Sequence, residues 1–258
     1  MIFFIFSCLF LLVKAQHESS TTSPEIDGKV IGGNEVVPHS VPYQVAIFLS
    51  DSHGHPATFC GGSLIDTRTV LTAAHCVFGI PSATVVLGAH NIRQEEDSQI
   101  KIMSTNFTVH EDWDRQTLRN DIALIHLPED VPLSEIISTI RLATDEWNNY
   151  IYQEAKVTGW GKDSDLATAI SPVLREADLM VIPNNVCKFS YGYYLRPTNL
   201  CTYGPDINTS CQGDSGGPLV LNGFQIGIVS FGNSLCESGL PAVFTRVSKY
   251  VTWINAHL

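Results

Sequence analysis

Tyr43-Gln44-Val45-Ala46-Ile47-Phe48-Leu49 is a short apolar run held between Pro42 and the turn formers Ser50-Asp51. Runs of the same kind recur at Ser63–Ile65, Val85–Leu87, Ile122–Leu127, Glu154–Thr158, Gln225–Phe231 and Ala242–Thr245. They favour Val, Ile, Phe and Thr, and Gly, Pro, Asn or Asp punctuate the gaps, which is the pattern of strands and tight turns. Helical periodicity is weak until the end, where Val247, Val251 and Ile254 fit one face of a terminal helix. Many short strands without alternating helices predict an all-β sandwich or barrel. No repeat of roughly 20–50 residues stands out, which disfavours propellers and solenoids.

The chain has 258 residues, 44% of them apolar and 16% charged, with a formal net charge of −11. That composition suits a packed core and excludes disordered, collagen-like and coiled-coil chains. No Lys/Arg cluster exists to meet phosphates, so nucleic-acid binding is not expected. The excess of acid favours solubility and repels anionic partners.

Residues 1–15, MIFFIFSCLFLLVKA, are too short to span a bilayer, which takes roughly 20 apolar residues, and they end on a small residue. They read as a secretory signal cut after Ala15, with an uncleaved anchor as the rival. No other stretch is apolar enough to span. The six remaining cysteines, Cys60, Cys76, Cys187, Cys201, Cys211 and Cys236, would then meet an oxidising compartment outside the cell. Spacing alone cannot choose among their pairings, and CxxC metal-ligand spacing is missing. Residues 16–29, QHESSTTSPEIDGK, are polar and lack aromatic side chains, and end at Lys29 before Val30-Ile31-Gly32-Gly33. The junction reads as a processing point or as an ordinary linker.

Three segments carry candidate chemistry. Leu71-Thr72-Ala73-Ala74-His75-Cys76 sets a His among small residues, and Asn120-Asp121-Ile122-Ala123 sets a carboxylate at the head of an apolar strand. Cys211-Gln212-Gly213-Asp214-Ser215-Gly216-Gly217-Pro218 sets a Ser in a glycine-rich turn. A hydroxyl is a poor nucleophile at neutral pH. It needs a base to take its proton and a third group to orient that base. Glycines around a serine let backbone N–H groups face a developing oxyanion. Each segment alone has an ordinary structural explanation: a core histidine, a turn cap, a plain β-turn. Together, in this order and behind the Lys29 junction, they are specific.

These residues resemble the trypsin/chymotrypsin family of serine proteases. The likeness covers 30–258, through VIGG at 30–33, CGGSLI at 60–65, LTAAHC at 71–76, NDIALI at 120–125, TGWG at 158–161, CQGDSGGPL at 211–219 and FTRV at 244–247. VVLGAHNIR at 85–93 resembles the arthropod brachyurin-like branch of chymotrypsin-like and collagenolytic enzymes. The resemblance implies two six-stranded antiparallel β-barrels, divided near residue 137, with the active site between them and a C-terminal helix. It implies His75 as general base and then acid, Asp121 as its orienting carboxylate, Ser215 as nucleophile, and the N–H groups of Gly213 and Ser215 as the oxyanion hole. It implies the disulfides Cys60–Cys76, Cys187–Cys201 and Cys211–Cys236. No cofactor or metal is implied.

The resemblance further implies a zymogen. A tryptic activator would cut after Lys29, and the freed Val30 ammonium would pair with Asp214. Substrate preference would rest on Thr209, Gly232 and Ala242, with Ser230, Phe231 and Gly232 offering a strand edge to the substrate backbone. Thr209 has no charge to meet Lys or Arg, and Ala242 stands where the collagenolytic branch often carries Asp. The expectation is cleavage after Phe, Tyr, Leu or Met by a secreted monomeric digestive enzyme, open to serine-protease inhibitors. Collagenolytic cleavage and limited proteolysis in immunity, venom or invasion are the alternatives. A catalytically dead binding homologue would have lost Ser, His or Asp, and all three are present.

Two further patterns are weaker. Asn106-Phe107-Thr108 and Asn208-Thr209-Ser210 fit the glycosylation sequon, the first expected on the surface and the second expected to be buried. His53 and His55 in Asp51–Pro56 read as a solvent loop rather than a metal site, and Ala89 replaces a first calcium ligand in 88–93.

Overall fold

The computed structural model describes residues 33–205 and 208–258. The signal and propeptide readings, with Lys29 and Val30, lie outside the described residues. Among the described residues, fifteen strands form two sheets. The first is built from β2 (Gln44–Ser50), β3 (Pro56–Asp66), β4 (Thr69–Thr72), β5 (Ser82–Leu87), β6 (Ile100–Ser104), β7 (Asn106–Val109) and β8 (Ala123–His126), in the order β6-β5-β2-β3-β4-β8-β7. Its two edge strands are successive stretches of chain separated only by Thr105. Counted as one bent strand, they close a six-stranded antiparallel barrel. The Ser104 hydroxyl at the bend donates to the His126 carbonyl at 2.6 Å.

The second sheet contains β1 (Asn34–Glu35), β9 (Arg141–Leu142), β10 (Glu154–Gly159), β11 (Arg175–Ile182), β12 (Asn199–Tyr203), β13 (Pro218–Leu221), β14 (Phe224–Phe231) and β15 (Ala242–Arg246). Its ladder runs β11-β10-β13-β14-β15-β12, and β12 pairs back onto β11, so this barrel closes through backbone hydrogen bonds. The two-residue β1 is a strap from the start of the described chain onto β11. Among the described residues, all the pairings are antiparallel except β9 with β14.

Each barrel buries its own apolar interior, as alternating side chains of a closed sheet must. Val45, Ile47, Leu64, Val70, Leu71, Val85 and Leu124 fill the first, and Val157, Leu179, Leu200, Leu219 and Phe244 the second. A third cluster around Val36, Ala46, Val86, Trp160 and Leu174 joins the two. Buried polar pairs cross the same seam. Thr158 Oγ1 donates to Gln44 Oε1 at 2.6 Å, and Ser63 Oγ donates to Gln225 Oε1 at 2.7 Å.

The helices are short: α1 (Ala74–Val77), α2 (Asn184–Tyr191) and α3 (Val251–Asn255). Val247 and Ile254 are buried and Val251 half-buried, so the predicted terminal face exists, with Val247 on a 3-10 turn ahead of α3. With Tyr250, this terminus packs on the first barrel, so each barrel is strapped by chain from the far end of the sequence. Helix α2 escapes a periodicity search because only Cys187 of its eight residues is buried. The disulfides are Cys60–Cys76, Cys187–Cys201 and Cys211–Cys236.

Candidate active site

His75 sits in α1, directly after β4, where the Cys60–Cys76 disulfide ties the helix to β3. Asp121 lies just ahead of β8, which is paired with β4, so the sheet register brings the two together. Asn120 before it adopts φ +54°, a left-handed geometry that Asn tolerates better than most residues. Its side chain is clamped by the Tyr250 hydroxyl at 2.8 Å and by donation to the Asp112 carbonyl at 2.8 Å. Asp121 is fully buried. Its Oδ2 lies 2.8 Å from His75 Nδ1, and its Oδ1 accepts the His75 backbone N–H at 2.9 Å. The carboxylate therefore fixes both the ring and the backbone that carries it.

Burial pushes the His75 pKa down, but the charge of Asp121 and its hydrogen bond outweigh burial and leave it raised above the usual imidazole value. The side chain remains 27% exposed, and its far nitrogen, Nε2, lies 3.8 Å from Cys76 Sγ. A groove of about 200 Å³ beside it is lined by Thr58, Cys76, Phe78, Ile80, Trp113 and Arg115.

Ser215 approaches from the second barrel. Its carbonyl accepts the Gly61 N–H at 2.8 Å, which docks the glycine-rich turn on β3. Gly216 adopts φ +79°, and a Cβ there would strike Thr72 Oγ1 and Gly61 O, so glycine is required on both counts. That close approach sets Ser215 against the stretch leading into His75. The N–H groups of Gly213 and Ser215 find no acceptor among the described residues, while that of Asp214 bonds the Cys211 carbonyl at 3.0 Å. Two free donors flanking one half-buried hydroxyl can receive an oxyanion.

Asp214 is wholly buried. Its oxygens accept the N–H groups of Cys211 and Gly161, each at 2.8 Å, and no cation neighbours it among the described residues. Desolvation raises its pKa from 3.8 to about 6, against the lowering effect of those two bonds. A Cβ on Gly159 or Gly161 would collide with this carboxylate, which explains both glycines of the Thr-Gly-Trp-Gly run.

Thr209, Ser230 and Ala242 are buried, Phe231 is half-buried and Gly232 is exposed at the end of β14. A Cβ at Gly232 would meet nothing within 4 Å, so its surroundings are open. Ala242 packs with Val229 and Phe244 in the second barrel's core. Ser230 has a role that sequence reasoning missed: its hydroxyl donates to Asp121 Oδ2 at 2.5 Å, across 109 residues. Thr245 adds a bond from Oγ1 to the Asp121 carbonyl at 2.8 Å. No short-range pattern could have signalled either contact. Asn106 is exposed at the start of β7, whereas Asn208 is half-buried beside buried Thr209. His53 and His55 are exposed on the β2–β3 loop.

A family model described as Trypsin matches residues 30–254. The chain belongs to the trypsin family. It is a serine endopeptidase acting on proteins or peptides, with the two-barrel chymotrypsin-like fold. Among relatives, it is 44% identical to brachyurin of Leptuca pugilator over 227 residues, which covers 88% of this chain and 97% of that one. It is 42% identical to chymotrypsin of Phaedon cochleariae over 238 residues, 91% of this chain and 84% of the relative. Among solved structures, HL collagenase superposes with a TM-score of 0.78 at 33% identity, covering 90% of this chain and 97% of that chain. A structure named GrC gives a TM-score of 0.80 at 34% identity, covering 88% and 98%.

Proposed function

We propose that the protein is a secreted, monomeric digestive endopeptidase, made as a zymogen and cleaving after large apolar or aromatic residues. The observation that carries the catalytic reading is the buried Asp121 carboxylate at 2.8 Å from His75 Nδ1, on a ring that stays 27% exposed. In this mechanism, His75 takes the proton of Ser215 as its Oγ attacks the substrate carbonyl. Asp121 holds the tautomer and stabilises the imidazolium, with Ser230 sharing its charge. The N–H groups of Gly213 and Ser215 receive the oxyanion, worth about 3 kcal/mol per donor. His75 then returns the proton to the leaving amine, and water repeats the cycle on the acyl-enzyme.

Catalysis needs neutral His75, whose pKa is raised. The expected kcat/KM therefore climbs with pH through a midpoint above the ordinary imidazole value of about 6.5. A pH–rate profile with its acid limb centred below that value would contradict the Asp121–His75 pair as drawn.

The family resemblance would put uncharged Thr209 at the base of the pocket, Gly232, whose surroundings are open, at its mouth, and Ala242 on its wall, and these residue types support the apolar preference. Profiling the Lys29-cleaved protein against a peptide library tests it, with Phe, Tyr, Leu and Met expected at the cleaved position and dominance by Arg and Lys contradicting it. Gly232→Val is expected to cut kcat/KM for Phe and Tyr substrates by roughly 10–200-fold, the scale of a few displaced methylenes, and to spare Ala substrates. Similarity to brachyurin and to HL collagenase favours one second reading, attack on native collagen, which a digest of triple-helical collagen separates from peptide cleavage.

Activation by a tryptic protease at Lys29 would free the Val30 ammonium to pair with buried Asp214. The pair would raise the amine pKa, so its contribution is complete below the free value of about 7.7–8.0 and fades as pH rises through the folded value. Blocking the Val30 amine should leave activity low at every pH, with no separate alkaline limb. An unchanged alkaline limb would count against the pair. An N-glycan at exposed Asn106 and inhibition by serine-protease inhibitors belong to the same proposal.

A further inference from the structure

A second cavity, of about 460 Å³, lies on the second barrel among residues with no part in the catalytic machinery. We propose that it binds an amphiphilic organic anion, a carboxylate, sulfate or sulfonate carried on an apolar body. Its apolar wall is Ile151, Ile182, Leu195 and Pro197. Its polar side carries Lys188, Arg196 and Arg246 and no carboxylate. None of these three cations forms an ion pair among the described residues, in a chain whose net charge is −11.

Arg246 is the decisive member. It is 8% exposed, and its terminal nitrogens donate to the carbonyls of Asn148 at 3.1 Å and Asn199 at 3.2 Å. Its Nε is buried with no partner. A desolvated guanidinium facing only neutral carbonyls is costly, because nothing of opposite charge offsets the lost hydration. Arg196 repeats the pattern: its Nε is also buried without a partner, and its guanidinium lies 4.4 Å from the Tyr193 ring centre.

Helix α2 adds a third, separate source of positive potential. It begins at the cavity wall with Asn184 and Asn185, whose backbone N–H groups have no acceptor among the described residues, and Pro183 before them supplies no side-chain cap. Free N–H groups and the positive end of the helix dipole favour an anion there. Asn184 Nδ2 bonds the carbonyls of Arg196 and Asn199 at 3.2 and 3.0 Å, which fixes the helix start against the loop carrying Arg196. The volume falls in the range of small-molecule sites, and the apolar wall calls for more than a bare inorganic ion.

The test is calorimetric titration of the full chain carrying Ser215→Ala, which prevents self-digestion, with decanoate, inorganic sulfate and decyltrimethylammonium. Decanoate is expected to bind saturably at one site per chain, sulfate at least tenfold more weakly, and the cation not at all. Adding Lys188→Glu with Arg196→Glu should weaken decanoate at least tenfold at an unchanged melting temperature. Should that variant fail to fold, Leu195→Trp, which fills the apolar wall and keeps the charges, should weaken decanoate by a similar factor. The proposal is overturned by no saturable decanoate binding up to roughly 1 mM. It is equally overturned if sulfate binds as tightly as decanoate, or if binding survives the folded variants unchanged.

Discussion

Replacing Ser215 by Ala in the Lys29-cleaved protein is expected to lower kcat by about 10⁶-fold, the scale that loss of a triad hydroxyl carries in serine proteases generally. The fold should not notice. Ser215 is half-buried, and its structural contact is the backbone carbonyl that accepts the Gly61 N–H, which Ala retains. A surface-like change of this kind costs about 0.5 kcal/mol or less. The free N–H groups of Gly213 and the residue at 215 remain in place as well, so substrate binding should persist while turnover stops. Steady-state kinetics beside a thermal melt make the check. Residual activity above a few per cent of the parent would remove Ser215 from the chemistry.

The second large effect is a pH-dependent stability gap between the uncut and cleaved chains. Burial raises the Asp214 pKa to about 6 where it has only the two backbone N–H donors. A carboxyl with a raised folded pKa holds its proton more tightly when folded, so as far as this one group is concerned the uncut chain is most stable in acid. It loses stability as pH climbs from about 4 through 6, by about 3 kcal/mol once ionisation is complete. In the cleaved chain, the proposed Val30 ammonium would stabilise the ionised carboxylate and recover that loss. Denaturant midpoints of Lys29→Gln, which cannot be activated, and of cleaved Ser215→Ala should therefore nearly coincide at pH 4 and separate by pH 7. Apart from the propeptide's His17, Glu18, Glu25 and Asp27 and the new Val30 amine, the titrating groups are common to both proteins and cancel in the difference. A gap of equal size at pH 4 and pH 7 would contradict the Asp214 switch.

The strands were legible where each core face is written locally. The run at 43–49 becomes β2 almost residue for residue, and those at 225–231 and 242–245 become β14 and β15 with one residue added to each. The run at 63–65 covers only the end of β3, an eleven-residue strand whose first three residues, Pro56, Ala57 and Thr58, are exposed and whose middle is interrupted by Gly61-Gly62, so no continuous apolar pattern marks it. Helix α2 was hidden because the Cys187–Cys201 disulfide, rather than an apolar stripe, pins it to the barrel. The motif residues of the site are grouped in short segments and so could be read. The contacts of Ser230 and Thr245 with Asp121, made across more than a hundred residues, exist only once the two barrels close on each other.

Catalysis in this protein requires Ser215, His75 and Asp121 to converge in one cleft. Stoichiometric labelling of the cleaved protein with a fluorophosphonate, followed by peptide mapping, tests this most directly. One adduct per chain on Ser215, lost in both Ser215→Ala and His75→Ala proteins of unchanged melting temperature, is the predicted result. Labelling at another residue, or undiminished labelling in folded His75→Ala, would contradict it.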